Sequence, residues 1–353
     1  MDALSVASGA WLGEGLRRAL AAMFLGVAVL VMGGLQGCGG GGGGAAPSPP
    51  PVPAPSPSPV GPIAAQVSVP APVGYDAERL AAFDRLNEIR RTAGLGMLAQ
   101  SSLLDQAAQA HAAWIVANDS FTHEETAGTA GFTGVDWWNR DEALGYVPVE
   151  GEEVMSAPVR GAAGVDGLVN TLYHRAGMLA FAPVDVGIGW SSLAAGSVSM
   201  PLVIDITRPG NDAVRGLGQQ AQPAIDGVSI WPIADATGVP LRLGLESPNP
   251  VPTQDVLTLG TPASVTVDEE TTLTVDSFVM TDVATGDAVQ GRVLTNANDP
   301  NLLLPRSFAA FVPLNVLAPH AVYRVDFSGS GVGFISGVRR VVQRTWSFTT
   351  AGD

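Results

Sequence analysis

The sequence predicts an α+β module followed by a smaller all-β module. Three observations carry that prediction. Apolar residues recur at helical spacing between residues 76 and 118. They change to strand alternation between 184 and 206. From 272 to 348 only short alternating runs appear, separated by turn residues and without a helical period. Helices early and strands late describe an antiparallel sheet covered by helices, and the closing runs describe a small β-sandwich.

In the first module, Asp76 stands as the N-cap of a helix carrying Leu80, Phe83, Leu86, Asn87 and Arg90 at helical spacing, and Gly94 ends it. Ser101 or Ser102 caps a second helix, with Asp105 placed for a capping box. Leu104, Ala108, His111 and Ile115 fall on one stripe of that helix, which stops at Asn118-Asp119. Gly128, Gly131 and Gly134 mark a loop. Further helices are expected over 136–144, closed by Gly145, and over 166–173. Val184, Val186, Ile188 and Trp190 alternate as a strand, and a second strand over 198–206 is stopped by Pro209-Gly210. In the later module, strands are expected at 272–279, 289–294, 308–312, 322–327 and 341–348. Leu317-Ala318-Pro319 with Tyr323 reads as a corner feeding a strand. Trp346 and Phe348 share one face of the last strand. The implied modules are 76–210 and 227–350, joined by a linker at 211–226.

Of 353 residues, 46% are hydrophobic and 14% charged, enough for two modest cores. The 43 glycines and 27 prolines point to loops and linkers. A net charge of −15 argues against nucleic acid and anionic membrane surfaces as partners. The one cysteine, Cys38, has no internal disulfide partner. Arg17 and Arg18 precede an uncharged, mostly apolar run at 19–35, the layout of an export signal. The run is at the short limit for a membrane helix. It ends Leu35-Gln36-Gly37-Cys38, which resembles a bacterial lipobox. On that reading residues 1–37 are a signal peptide. Cys38 is acylated and becomes the membrane anchor, and the protein faces the periplasm or the cell surface. Gly39 rather than Asp after the cysteine favours the outer membrane where there are two. Residues 38–75 form a tether: six glycines, then a Pro/Ser/Ala/Val tract uncharged as far as Gly74. Its reach is about 35 Å as a coil and about 110 Å as polyproline helix.

Only four histidines occur. Two of them lie in Phe121-Thr122-His123 and Tyr173-His174-Arg175, with carboxylates in Gly151-Glu152-Glu153. Imidazole with carboxylate suits a divalent metal or general acid/base work. His111, on an apolar stripe, reads as a satisfied core histidine, and His320 as a solvated turn residue. Trp137-Trp138 reads as one ring in the core and one at the surface. There is no Gly-x-Ser-x-Gly, no His-Glu-x-x-His and no Walker loop. The glycine run lacks the Lys-Ser/Thr of a phosphate loop, and an acylated Cys38 offers no nucleophile.

These segments, in order, resemble the CAP superfamily of cysteine-rich secretory, antigen 5 and pathogenesis-related 1 proteins, in its disulfide-free bacterial form. The carrying text is Leu86-Asn87-Glu88-Ile89-Arg90, residues 107–112, Phe121-Thr122-His123, residues 131–135, Gly145-Tyr146, Gly151-Glu152, Tyr173-His174-Arg175 and Val186-Gly187-Ile188-Gly189. The resemblance implies an α-β-α sandwich with an open cleft. It places His123, Glu152 and His174 in that cleft and a divalent cation such as zinc as the cofactor. The family's fourth cleft residue is an acid, and Thr171 occupies that position here. Glu124, Glu125 and Glu153 are the other acids at hand. Residues 227–350 resemble bacterial Ig-like envelope modules, on Ala236-Thr237-Gly238-Val239-Pro240, Pro313-Leu314, Leu317-Ala318-Pro319, Tyr323 and residues 346–350. The function implied is a non-enzymatic binding module of the cell envelope, using the CAP cleft toward an envelope ligand or protein. The alternatives are a metal-dependent hydrolase built on His123, Glu152 and His174, and a lipid- or sterol-binding module with an apolar groove beside the cleft.

Overall fold

The computed structural model describes residues 66–192, 194–210, 227–334 and 336–352. The signal segment, Cys38, most of the tether and the 211–226 linker lie outside the described residues. Among the described residues, no helix is long and apolar enough to cross a membrane.

The first module is α+β. Helix α1 (Ala77–Thr92) starts where Asp76 accepts the Arg79 N–H at 2.9 Å, and the chain leaves it through Gly94 at φ +78. Helix α2 (Ser102–Asn118) begins after Ser101 and ends on Asp119 in the left-handed region. Asp105 does not close the expected capping box. Its carboxylate takes the Tyr75 hydroxyl at 2.6 Å, the Gln100 amide at 2.6 Å and the Ile188 N–H at 2.9 Å, tying the helix to the sheet. Helix α3 (Trp137–Ala143) follows Asp136, whose N–H donates to the Asn139 side chain. The single helix expected over 166–173 is two helices, α4 (Gly161–Val169) and α5 (Tyr173–Met178). They break at residues 170–172, where Thr171 Oγ1 donates back to the Leu168 carbonyl at 2.7 Å.

The sheet runs β1-β3-β6-β2, from β1 (Ala99–Gln100), β2 (Pro148–Ser156), β3 (Asp185–Trp190) and β6 (Leu202–Pro209). A short hairpin, β4 (Ala194–Ala195) with β5 (Val198–Ser199), precedes β6. Only β1 pairs in parallel; β3, β6 and β2 are antiparallel. The sheet is covered on both faces. Val154, Val186, Ile188, Ile204 and Ile206 meet Phe83, Leu86 and Ile89 of α1 and Val165 and Leu168 of α4. Met155 and Val203 meet Ala108, Ala112 and Ile115 of α2. The Val-Gly-Ile-Gly run explains that second contact. A Cβ on Gly187 or Gly189 would strike the backbone of α2 at Leu104–Asp105 or Ala108–Gln109. The glycines therefore let the helix lie against the sheet, while Val186 and Ile188 fill the opposite face. Segment 66–75, read from sequence as tether, is partly docked. Gln66 exchanges bonds with the Met97 backbone, Gln100 does the same with Val73, and Val69 and Tyr75 pack on the core.

The C-terminal region is all-β and antiparallel. Strands β7 (Val228–Trp231), β8 (Ala263–Val267), β10 (Gly291–Thr295) and β11 (Phe308–Pro313) form one sheet in the order β10-β11-β8-β7. Strands β9 (Thr271–Asp282), β12 (Val322–Gly333) and β13 (Arg339–Thr349) form the other, ordered β13-β12-β9. Val265, Phe278, Phe311, Val325, Trp346 and Phe348 fill the space between them. Tyr323 Oη accepts the Ala318 N–H at 2.9 Å, closing the corner expected there. Two strands, β7 and β8, were not legible as alternation. Every residue of β8 is buried, so no polar face marks it.

Strand β11 is buried on both faces as well. Ala309 and Phe311 enter the sandwich core. Phe308, Ala310 and Val312 enter a second core shared with Leu172 and Ala176 of the first module. The two modules are thus joined by apolar packing and not by the linker alone.

Candidate functional site

Strand β2 determines the geometry. Successive strand residues point to opposite faces, and Glu152 pairs across from Ile206 while Glu153 pairs across from Asp205. The two adjacent carboxylates, both buried, therefore serve two different environments.

On the α2 side, Glu153 receives His123 and Arg140. His123 Nδ1 donates to Glu153 Oε1 at 2.9 Å, and Arg140 Nη2 donates to Oε2 at 2.5 Å. Arg140 also holds the His123 carbonyl at 3.0 Å, fixing the loop that carries the imidazole. His111 is wholly buried. Its Nε2–H donates to the Thr122 carbonyl at 3.0 Å, and its Nδ1 meets Glu125 Oε1 at 3.0 Å. It is the satisfied core histidine expected from sequence, and it also braces the loop around His123. Burial pushes the Glu153 carboxyl up, but Arg140, His111 and His123 outweigh it and hold the group ionised, well below the usual range. Burial likewise raises Glu125; its bonds to His111 and Thr133 and the Arg140 charge bring it below its ordinary value.

Behind this pair lie two more buried carboxyls, Asp141 and Asp205. Among the described residues, neither Asp141 oxygen has a hydrogen-bond partner, and Asp205 lies against Glu153. Burial first, and then the Glu153 charge, pushes Asp141 up to about 8. Burial and the charges of Asp141 and Glu153 push Asp205 well above its ordinary value. The cluster is one arginine bonded to the ionised Glu153, with two buried carboxyls beside it whose proton affinity is raised.

On the opposite side, Glu152 is pressed against the Cα of Gly177 in α5. Its Oε1 has no hydrogen-bond partner, and burial followed by the charge of Glu246 raises it well above its ordinary value. His174, on the first turn of α5, places Nδ1 3.0 Å from Thr171 Oγ1. Because the Thr171 hydroxyl proton is donated to Leu168, its oxygen accepts from His174 Nδ1–H. Glu246 of the C-terminal region stands 3.6 Å from the same nitrogen. Its carboxylate accepts the Leu172 and Tyr173 N–H groups at 2.7 and 2.6 Å.

The three residues read from sequence as one cleft set are therefore placed as follows. His123 bonds Glu153, Glu152 faces the other side of the sheet, and His174 sits between Thr171 and Glu246. Among the described residues, no group of three or more His, Cys, Asp or Glu is arranged to hold a metal ion. Both imidazoles are partly exposed, 35% for His123 and 21% for His174. Each uses Nδ1 on the protein, and among the described residues Nε2 has no hydrogen-bond partner. Trp137 and Trp138 meet edge to face at 5.6 Å, and both are half-buried, so neither occupies the core expected for one of them. A groove of about 660 Å³ runs between α2 and α3, lined by Ala107, Ala110, Ala113 and Leu144 together with Arg79 and Gln109. Neither His123 nor His174 lines it.

Sequence reasoning missed Arg140, Asp141, Asp205 and Glu246. The signal for the first three was the run 148–156, a strand whose interior is acidic and so lacks apolar alternation. Glu246, distant in sequence, gave no signal at all.

With helices packed on both faces of the sheet and two histidines presented from loop 121–125 and helix α5, the first module defines an α+β sandwich. Residues 83–204 match the CAP family, the cysteine-rich secretory protein family, and this part of the chain is a CAP domain. No curated protein sequence matches the chain. Among solved structures, the chain is similar to an extracellular SCP-domain protein from Bacillus anthracis, at 20% identity and TM-score 0.30, over 36% of this chain and 39% of that one. It is also similar to an outer surface protein from Borrelia burgdorferi, at 14% identity and TM-score 0.32, over 38% of this chain and 96% of that one.

Proposed function

We propose that this is a lipid-anchored CAP-domain protein of the bacterial cell envelope. It binds an envelope ligand or protein through the surfaces around His123 and His174 and catalyses no reaction. The C-terminal β-region is read as an Ig-like module and Cys38 as the acylated anchor. The observation that carries the binding reading is the presentation of the two imidazoles. Each is held through Nδ1 by a buried oxygen while the ring stays partly exposed. The acids do not converge on one point with both histidines, because β2 sends Glu152 and Glu153 to opposite faces. Such an arrangement suits recognition better than metal-assisted hydrolysis, which needs a converging donor set.

The test uses the full chain with Cys38→Ser, which cannot be acylated, sedimented with isolated envelope fragments. Binding should fall about tenfold when His123 and His174 are both changed to alanine, the loss of one or two hydrogen bonds. Equal sedimentation of the two forms overturns the cleft as the binding surface. Stoichiometric zinc in the purified protein, lost on His123→Ala, would favour the hydrolase instead. Labelled palmitate should enter the native chain and not the Cys38→Ser form.

A further inference from the structure

Helix α5 is short and is fixed from both modules: Met178 lies in the first module's core and Arg90 donates to its carbonyl at 2.8 Å, while its first turn is held by the other module. Leu172 and Ala176 pack with Leu243, Leu259 and Phe308. Tyr173 Oη donates to Asp299 at 2.7 Å and accepts from Asn301 at 2.7 Å. Arg175 donates to the Val169 carbonyl within its own module and to the Pro262 carbonyl in the other, both at 2.7 Å. Glu246 binds the two backbone N–H groups at residues 172 and 173. Its side chain is wholly buried, and its Oε1 also faces His174 Nδ1 at 3.6 Å. That distance is too long for a hydrogen bond but short for a charge in a dry site. Burial, and then the charge of Glu246, raises the Glu152 carboxyl, the other acid here, well above its ordinary value. Glu246, already accepting two backbone N–H groups, is thus the acid that stands beside His174 Nδ1, at 3.6 Å, and the CAP segment contributes the Thr171 hydroxyl.

We propose that Glu246 is the positioning acid of His174, supplied to the CAP domain by the C-terminal β-region, so that the His174 site is a composite of both modules. Glu246 and Thr171 together keep the proton of the neutral imidazole on Nδ1. Nε2 is then offered as an acceptor to a ligand donor, a hydroxyl or an ammonium group. The β-region is thereby part of the recognition site and not a spacer behind it. This deepens the cleft reading above, but its test needs no ligand, so the two can fail separately.

The experiment is long-range nitrogen–proton NMR on the full-length chain labelled at its four histidines. It is run about two pH units above the ordinary imidazole value so that the rings are neutral. His174 should show the Nδ1–H pattern. Glu246→Gln, which keeps the shape and removes the charge, should raise the Nε2–H population about tenfold. Asp299→Asn cuts the Tyr173 contact without touching the acid and should leave the tautomer unchanged. An unchanged tautomer in Glu246→Gln overturns the proposal. So does an equal shift in Asp299→Asn, which would assign the effect to module docking. If Glu246→Gln does not fold, Glu246→Asp, which keeps the charge but withdraws it, should give an intermediate shift; no shift there overturns the proposal.

Discussion

Replacing Asp141 by asparagine should change how the stability of this protein depends on pH. Asp141 is fully buried, its oxygens have no hydrogen-bond partner, and it lies near Glu153 and Asp205. Burial, then the Glu153 charge, raises it to about 8, against about 3.9 in an unfolded chain. Between those values the native state holds a proton that the unfolded state has released. Stability from this group is therefore complete below about pH 4, falls as pH rises through the window, and is gone above about pH 8. One proton corresponds to a slope of about 1.4 kcal/mol per pH unit. Over the whole window, about four pH units, the limit is about 6 kcal/mol. Asp141→Asn carries no proton to lose. Urea denaturation of both forms at a series of pH values between 5 and 8 should give curves that diverge. The variant should gain on the native chain by about 1.4 kcal/mol per unit as pH rises. Asp205 keeps a second slope of the same sign in both forms. Parallel curves, or a variant that loses ground toward pH 8, would refute the claim that Asp141 is protonated in the fold.

Three further outcomes follow from packing. Gly177→Ala drives a methyl into the buried Glu152 carboxyl and should cost about 3 kcal/mol or more, read as a lowered melting temperature. Gly189→Ala strikes the backbone of α2 at Ala108 and should cost at least as much; a change under about 1 kcal/mol would mean that helix and sheet are not in contact there. His111→Ala leaves Glu125 and the Thr122 carbonyl without their partner. About 3 kcal/mol should be lost on chemical denaturation, together with ordering of loop 121–125 in hydrogen exchange.

Sequence alone determined the α+β order, the two long helices, strands β3 and β6, five strands of the C-terminal sandwich and the CAP resemblance that the family match at 83–204 supports. Those features are written in short periods: helical stripes, two-residue alternation, and Gly at Gly94, Gly187 and Gly189 where backbone geometry requires it. The site was legible only as a set of residue types. Which acid meets which histidine depends on the pleat of β2, where a step of one residue moves a carboxylate to the other face of the sheet. The resemblance grouped His123, Glu152 and His174 in one cleft without saying which acid meets which histidine; in the strand register the acid bonded to His123 is Glu153. Strand β2 itself escaped notice because two of its four buried positions are acids, Glu152 and Glu153, the second bonded by Arg140 from a helix that precedes it. The composite nature of the His174 site lay further out of reach. Glu246 reaches α5 only because the sheet containing β11 is apolar on both faces and buries the outer one against Leu172 and Ala176. Local periodicity states that a strand is buried on two sides; only tertiary packing decides what lies on the second side, and here it is the helix that carries the histidine.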